Sequence, residues 1–236
     1  MSTGATRTRI LIVGYGRMGQ LVERLAPEAG CDVAGILDVD RNAHGEALAR
    51  GAWADVDVAI DFTTAEAVRE NFPRYAALGL NVVVGTTGWQ SELDTLRRLA
   101  EQAGLGVVAA PNFSAGAVLF EAAVAHTALL LAPHESFGAW LHELHHDRKL
   151  DAPSGTALGL KAAMERAGYS RPIDVASSRA GHVPGVHTVG FDGPSETITL
   201  SHSVRDRGTF ARGALLAAHW VRGRAGWFSM RDVLGL

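Results

Sequence analysis

The segment from Arg9 to Ala29 limits the fold more than any other part of this chain. Arg9-Ile10-Leu11-Ile12-Val13 is a short aliphatic run of the kind that forms a strand buried on both faces. It empties into Gly14-Tyr15-Gly16-Arg17-Met18-Gly19, and an amphipathic stretch from Gln20 to Ala29 follows. The three glycines permit a tight strand-to-helix turn, let the backbone approach a pyrophosphate at the helix start, and let helix and strand pack closely. A second strand, Asp32 to Leu37, ends at Asp38, nineteen residues beyond Gly19, where a carboxylate can bind the hydroxyls of an adenosine ribose. Asp38 could also be an ordinary turn or cap residue; its place at a strand's carboxyl end favours the ribose.

More βα units follow. Val56 to Asp61 leads to Phe62-Thr63-Thr64 and a helix from Ala65; Asn81 to Val84 leads to Gly85-Thr86-Thr87-Gly88; Gly106 to Ala110 leads to Pro111-Asn112-Phe113-Ser114. Any one of these loops is an unremarkable connection. Repeated on one edge of a doubly wound parallel sheet, they mark a ligand-binding edge. After Ser114 the alternation stops. A helix (115–132), a strand (137–144), a second helix after Ser154, and strands at 173–179, 185–191 and 196–203 predict a smaller α+β domain with a mixed or antiparallel sheet. The fold class is therefore α/β, a Rossmann-type dinucleotide-binding domain plus this second domain. Residues 209–221 are again helical.

The densest chemistry lies in His142-Glu143-Leu144-His145-His146-Asp147-Arg148-Lys149-Leu150-Asp151-Ala152-Pro153-Ser154-Gly155-Thr156. It offers a proton donor, a fixed positive charge and, at Ser154-Gly155-Thr156, an N-capped helix start with free backbone N–H groups. Together these suit reduction of an anionic substrate. His142-Glu143-x-x-His146 also spells the zinc motif H-E-x-x-H, which requires a helix. Here the alternation is that of a strand, which sets His142 and His146 about 13 Å apart, too far to share one metal. A zinc hydrolase is thus the weaker reading, and no metal is expected.

A formal charge of −3 gives no nucleic-acid footprint. The first nine residues carry arginines but no apolar run, unlike a secretory leader. Glu121 and His126 interrupt the apolar stretch 115–132, so a buried helix is expected there and not a membrane span. The single cysteine, Cys31, excludes an internal disulfide and fits a reducing cytoplasm. It falls at the edge of the sheet away from the ligand loops, so it is expected to be buried, which argues against a thiol-dependent semialdehyde dehydrogenase.

Gly-Tyr-Gly-Arg-Met-Gly at 14–19, Asp-Phe-Thr at 61–63, Gly-Thr-Thr-Gly at 85–88, Pro-Asn-Phe-Ser at 111–114, the run from Glu143 to Ala157, Ser-Arg-Ala-Gly at 178–181 and Thr-Phe-Ala-Arg-Gly-Ala at 209–214 together resemble the dihydrodipicolinate reductases. The resemblance runs nearly end to end. It implies NADH- or NADPH-dependent reduction of 4-hydroxy-tetrahydrodipicolinate in diaminopimelate and lysine biosynthesis. It makes His145 the catalytic acid/base and Lys149 a second proton donor, with His146, Gly155 and Thr156 binding the substrate's carboxylates. It places the cofactor along Gly14, Tyr15, Gly16, Arg17, Met18, Gly19 and Asp38, then Gly85, Thr86 and Thr87, then Ala110, Pro111, Asn112 and Phe113. It also implies that 209–236 rejoins 1–114 in the dinucleotide domain, that 115–208 binds substrate and oligomerises, and that the protein is a homotetramer. Many members carry an acid–arginine pair after the second strand; here Val39 follows Asp38, and the nearest arginine is Arg41. A non-catalytic dinucleotide sensor is the remaining alternative, but no output module such as a basic helix-turn-helix is visible, and a sensor has no use for the histidine–lysine segment.

Overall fold

The computed structural model describes residues 7–50 and 53–236. In chain order the elements are β1 (Thr8–Val13), α1 (Arg17–Leu25), β2 (Cys31–Leu37), α2 (Glu46–Arg50), β3 (Val58–Asp61), α3 (Ala65–Leu78), β4 (Asn81–Val84), α4 (Leu93–Ala103) and β5 (Gly106–Ala109). There follow α5 (Ala115–Leu131), β6 (Gly138–His145), α6 (Gly155–Arg166), β7 (Ile173–Arg179), β8 (Val186–Asp192), β9 (Thr197–Ser203), α7 (Gly208–Val221), β10 (Gly226–Phe228) and α8 (Met230–Leu234). Two compact units result: the chain up to Ala115 with Gly208–Leu236, and Gly116–Arg207.

The first unit is a six-stranded sheet in the order β10-β5-β4-β3-β1-β2, parallel throughout. Ile10, Leu11 and Ile12 are fully buried, as a strand with both faces covered requires. The strand order reverses direction between β1 and β3, and ligands of such sheets bind outside the carboxyl ends at that point. Helix α1 begins at Arg17, inside the glycine motif, because Gly16 takes the extended N-cap conformation. It stops at Leu25, well short of Ala29, two residues before Pro27, whose nitrogen has no proton to continue the ladder. Cys31 opens β2 and is buried. The chain's return helix, α7, is dominated by small buried residues, among them Ala211, Ala214, Ala217 and Ala218, which lets it lie close against the sheet.

The second unit holds a mixed sheet in the order β7-β6-β8-β9, with β6 parallel to β7 and antiparallel to β8. Its core face presents Ala139, Leu141, Val189 and Phe191 to Val124, Ala128 and Leu131 of α5 and Leu160 and Met164 of α6. The carbonyls ending α5 find a partner in Arg171, whose guanidinium donates to Leu131, Ala132 and Phe137 oxygens at 2.9–3.0 Å, satisfying acceptors that a helix end leaves open. Helix α5 carries the most apolar stretch, and no helix among the described residues is long and apolar enough to cross a membrane.

Two helical glycines separate a packing role from a simple propensity cost. A Cβ at Gly213 of α7 would overlap the carbonyl oxygen of Phe113, whereas one at Gly159 of α6 has only Glu121 Oε2 nearby, at 3.9 Å. Gly213→Ala is therefore expected to destabilise by about 2–3 kcal/mol through forced backbone displacement, and Gly159→Ala to stabilise by about 0.5–1 kcal/mol. Urea unfolding of the two variants checks both signs.

Candidate active site

In the first unit, the carboxyl ends of β1, β2 and β3 and the start of α3 enclose a cavity of about 490 Å³ whose walls include Gly14, Gly16, Asp38, Val39, Thr63 and Glu66. Gly14 has φ +88°, and a Cβ there would lie 2.6 Å from the Phe62 carbonyl oxygen, so the loop closes only with glycine. Gly16 gives α1 no side-chain cap, which leaves the first N–H groups of the helix to an anion. Asp38 is fixed at the cavity wall by the Tyr15 N–H, which donates to its Oδ1 at 3.2 Å. The Thr63 wall is anchored from below by the wholly buried carboxylate of Asp61. That carboxylate receives Thr63 N–H (3.0 Å), Thr63 Oγ1 (2.6 Å), Asn71 Nδ2 (3.2 Å) and the Tyr75 hydroxyl (2.8 Å). In the next βα loop, Thr86 is buried with a hydroxyl that has no partner among the described residues, a polar group that a ligand can satisfy. Glycine backbone for phosphates, a fixed carboxylate for a ribose and an open hydroxyl fit a dinucleotide.

In the second unit, strand alternation puts Glu143 and His145 on the core side of β6, and both are buried. His145 Nδ1 meets Glu143 Oε2 directly. Arg179, opposite His145 on β7, donates from Nη1 to Oε2 at 3.0 Å and from Nη2 to Oε1 at 2.7 Å of the same carboxylate. The Ser154 N–H donates to Oε1 at 3.3 Å. Burial works to raise the Glu143 pKa, but the bonds from Arg179, Ser177 and His145 overcome it and hold the group at about 2. For His145, burial outweighs the neighbouring carboxylate and the pKa falls below 6.5, with Lys149 and Arg179 adding to the fall. His187, opposite Glu143 on β8, is pushed down to about 4 by burial first and then by the charge of His145. Its Nε2 lies 3.1 Å from Ser154 Oγ, and its Nδ1 has no partner among the described residues.

Beyond β6, Lys149 Nζ lies 2.8 Å from Asp151 Oδ1. The Lys149 bond holds the Asp151 carboxyl below its ordinary value against partial burial, and the backbone of Asp151 and Gly155 adds to it. Lys149 and the Gly155 N–H thus converge on one carboxylate. Ser154 caps α6 as expected, its Oγ accepting from Ala157 N at 3.2 Å.

The sequence-derived residues divide into groups. Gly14, Gly16 and Asp38 line the cavity; Gly19 is buried, and a Cβ there would overlap the Gly14 carbonyl oxygen, so its part is packing. Tyr15 turns its hydroxyl to Glu23, Arg17 is exposed and Met18 half-buried. Gly85, Thr86 and Thr87 and Ala110, Pro111, Asn112 and Phe113 follow β4 and β5 on the same sheet edge, with the Phe62 ring filling the space a Gly85 side chain would need. His145, Lys149, Gly155 and Thr156 gather around the start of α6, and the half-buried His146 follows β6 directly. The H-E-x-x-H string lies mostly on strand β6, and His142 faces away from Glu143 to meet Ser178 on β7 at 2.9 Å. A different trio, Glu143, His145 and His187, brings ligand atoms within 4.8 Å of one another, but Arg179 already engages both Glu143 oxygens, so a cation there meets a guanidinium. Arg179 and His187 had no role from sequence, because only the strand register sets them beside Glu143 and His145.

Two family models match the chain: dihydrodipicolinate reductase, N-terminus, over residues 8–113, and dihydrodipicolinate reductase, C-terminus, over residues 116–234. The 4-hydroxy-tetrahydrodipicolinate reductase of Rhodopseudomonas palustris is 37% identical, over 97% of each chain. That of Acidiphilium cryptum is 39% identical over 97% of this chain and 98% of its own. Among solved structures, a dipicolinate-bound dihydrodipicolinate reductase from Paenisporosarcina sp. TG-14 superposes with a TM-score of 0.76 at 23% identity, covering 96% of this chain and 98% of its own. GenD2, solved in complex with NAD, shares the fold at a TM-score of 0.56 and 16% identity, over 93% and 86% of the two chains. With both halves matched by its models and relatives this similar over almost its whole length, the chain belongs to the dihydrodipicolinate reductase family.

Proposed function

We propose that this chain reduces 4-hydroxy-tetrahydrodipicolinate to tetrahydrodipicolinate, a step of diaminopimelate and lysine biosynthesis, with a nicotinamide dinucleotide on the first unit and the dicarboxylate on the second. The chain is an oxidoreductase by family, and the nucleotide fits the glycine loop, Asp38 and the cavity they line. When bound, the reduced nicotinamide supplies the hydride. The observation that carries the substrate reading is the Asp151 carboxylate, held by Lys149 and the Gly155 backbone at the start of α6. A substrate carboxylate takes over these donors, with Thr156 N–H and His146 for its second anionic group. His145 supplies the proton from Nε2, since Nδ1 is occupied by Glu143. A Cβ at Gly185 would sit 3.0 Å from that Nε2, so glycine there keeps the donor atom clear. Lys149 is the second donor. The open face of the mixed sheet, bearing Trp140, Leu144, Val186 and Thr188, supports a homotetramer, and the single cysteine supports a cytoplasmic setting.

Oxidation of NADH or NADPH in the presence of freshly generated substrate is the direct assay, and no turnover with either nucleotide overturns the proposal. His145→Gln is expected to lower kcat by about 10²–10⁴-fold with dinucleotide KM little changed; a near-normal kcat removes His145 from proton transfer. Lys149→Met is expected to raise the Ki of pyridine-2,6-dicarboxylate by at least about tenfold, and equal inhibition of variant and wild type removes Lys149 from the anion site.

The cavity also bears on nucleotide choice. Its walls carry Asp38, Glu66, Glu70 and His44 but neither Arg17 nor Arg41, and His44 is paired with Glu70 at 3.3 Å. A 2′-phosphate there meets carboxylates with little to offset them, whereas ribose hydroxyls donate to Asp38. Use of both nucleotides is expected, with kcat/KM favouring NADH about fivefold, the size of one screened charge contact of ~1 kcal/mol. Comparing the two in wild type and Arg41→Ala checks it: strong NADPH preference contradicts the Asp38 argument, and an unchanged ratio in the variant excludes Arg41 from phosphate binding.

A further inference from the structure

We propose that Glu143 is a positioning residue for this reaction: it accepts the Nδ1–H of His145 and so fixes the tautomer and ring orientation that leave Nε2 to deliver the proton. The inference rests on the assignment of His145 as proton donor and extends it to a residue that touches neither substrate nor nucleotide.

The geometry leaves Glu143 little other function. Its side chain is wholly shielded from solvent, and His145 is about a tenth exposed. Arg179 occupies both carboxylate oxygens from the β7 side, and Ser154 N–H reaches Oε1 from the start of α6. An ionised carboxylate is acceptor-only, so the imidazole nitrogen that meets Oε2 must carry the hydrogen. That requirement selects the Nδ1–H tautomer of neutral His145 and leaves Nε2 as the site that gains and loses a proton. Arg179 has a separate part: it keeps Glu143 charged inside the unit, where an unpaired carboxylate would take up a proton. An orienting acid that remains an anion throughout is what a histidine donor requires.

The charges facing His145 come from four directions. Glu143 on its own strand favours the imidazolium; Arg179 on β7 and Lys149 beyond β6 oppose it. His187 on β8 stays neutral near pH 7 with its pKa near 4, and His202 on β9 lies behind it. Glu143 is the anion in this balance, so replacing it with a neutral isostere lowers the His145 pKa further. The protonated donor is then lost at lower pH as pH rises. An ion pair whose only role is to pin β6 to β7 would alter stability and leave that titration where it was.

The test compares Glu143→Gln, His145→Gln and the double variant with wild type. Glu143→Gln is expected to lower kcat by about 10²-fold, to leave dinucleotide KM unchanged, and to move the basic limb of the kcat pH profile to lower pH. The double variant is expected to be no slower than His145→Gln alone, because Glu143 acts through His145. Nitrogen-15 histidine spectra of wild type, assigned by the signal lost in His145→Gln, are expected to show the Nδ1–H tautomer, and this reading needs no folded Glu143 variant. A normal kcat in His145→Gln sinks the proton-donor assignment itself. An impaired His145→Gln overturns the Glu143 inference if Glu143→Gln keeps its kcat and pH profile, if the double variant is slower still, or if His145 carries its proton on Nε2.

Discussion

Among the described residues each unit encloses one carboxylate near the carboxyl end of a central strand, and the way that charge is satisfied sets what the surrounding residues can do. Enclosing an ionised carboxylate costs several kcal/mol unless partners replace the lost water. Asp61 is met by neutral donors only, from Thr63, Asn71 and Tyr75, and burial still raises its pKa above the ordinary 3.8. Glu143 is met by a guanidinium and falls to about 2. The first arrangement is a structural knot and the second a fixed charge.

The two solutions suit the two proposed tasks. The Asp61 bonds tie the end of β3 to α3 and hold the Phe62-Thr63 turn, which walls the cavity and fills the space that Gly85 leaves open. A loop that walls a cavity needs shape, and polar donors provide it without adding charge. The Glu143 bonds join β6, β7 and the start of α6, so the histidine, the capped helix and the lysine loop share one anchor. The proposed proton donor, His145, needs a permanent charge at a set distance, because its acidity depends on that charge.

Local sequence pattern made the βα units, the glycine turn, the Ser154 cap and the strand character of 137–144 readable, since each rests on residues within one element. The three-residue edge strand Gly226–Phe228 was not readable: it is too short to show a period, and pairing with β5 makes it a strand. The site was legible to the same depth. His145, Lys149 and Gly155 lie within one loop and its flanks, so their grouping follows from chain proximity. Arg179 comes from a strand 34 positions further along than His145 and His187 from a third strand, and no short-range signal states which strand neighbours which. Asp151 was quoted as part of the loop, yet its occupation of the Lys149 donors emerges only from side-chain geometry.

The string His142-Glu143-Leu144-His145-His146 shows how far secondary structure decides chemistry. On a helix, positions four apart share a face, and the first and last histidines could take one metal with the glutamate beside them. On a strand, positions two apart share a face, which separates His142 from Glu143 and pairs Glu143 with His145. The glutamate thereby changes from a base acting on water into an acceptor fixed on a histidine. Arg179, His145 and Ser154 complete the change, because a carboxylate that receives two donors on each oxygen has no lone pair free to serve a metal-bound water. The same residues that spell a hydrolase motif on a helix become, on β6, a buried carboxylate–histidine pair, the support of the proposed proton donor.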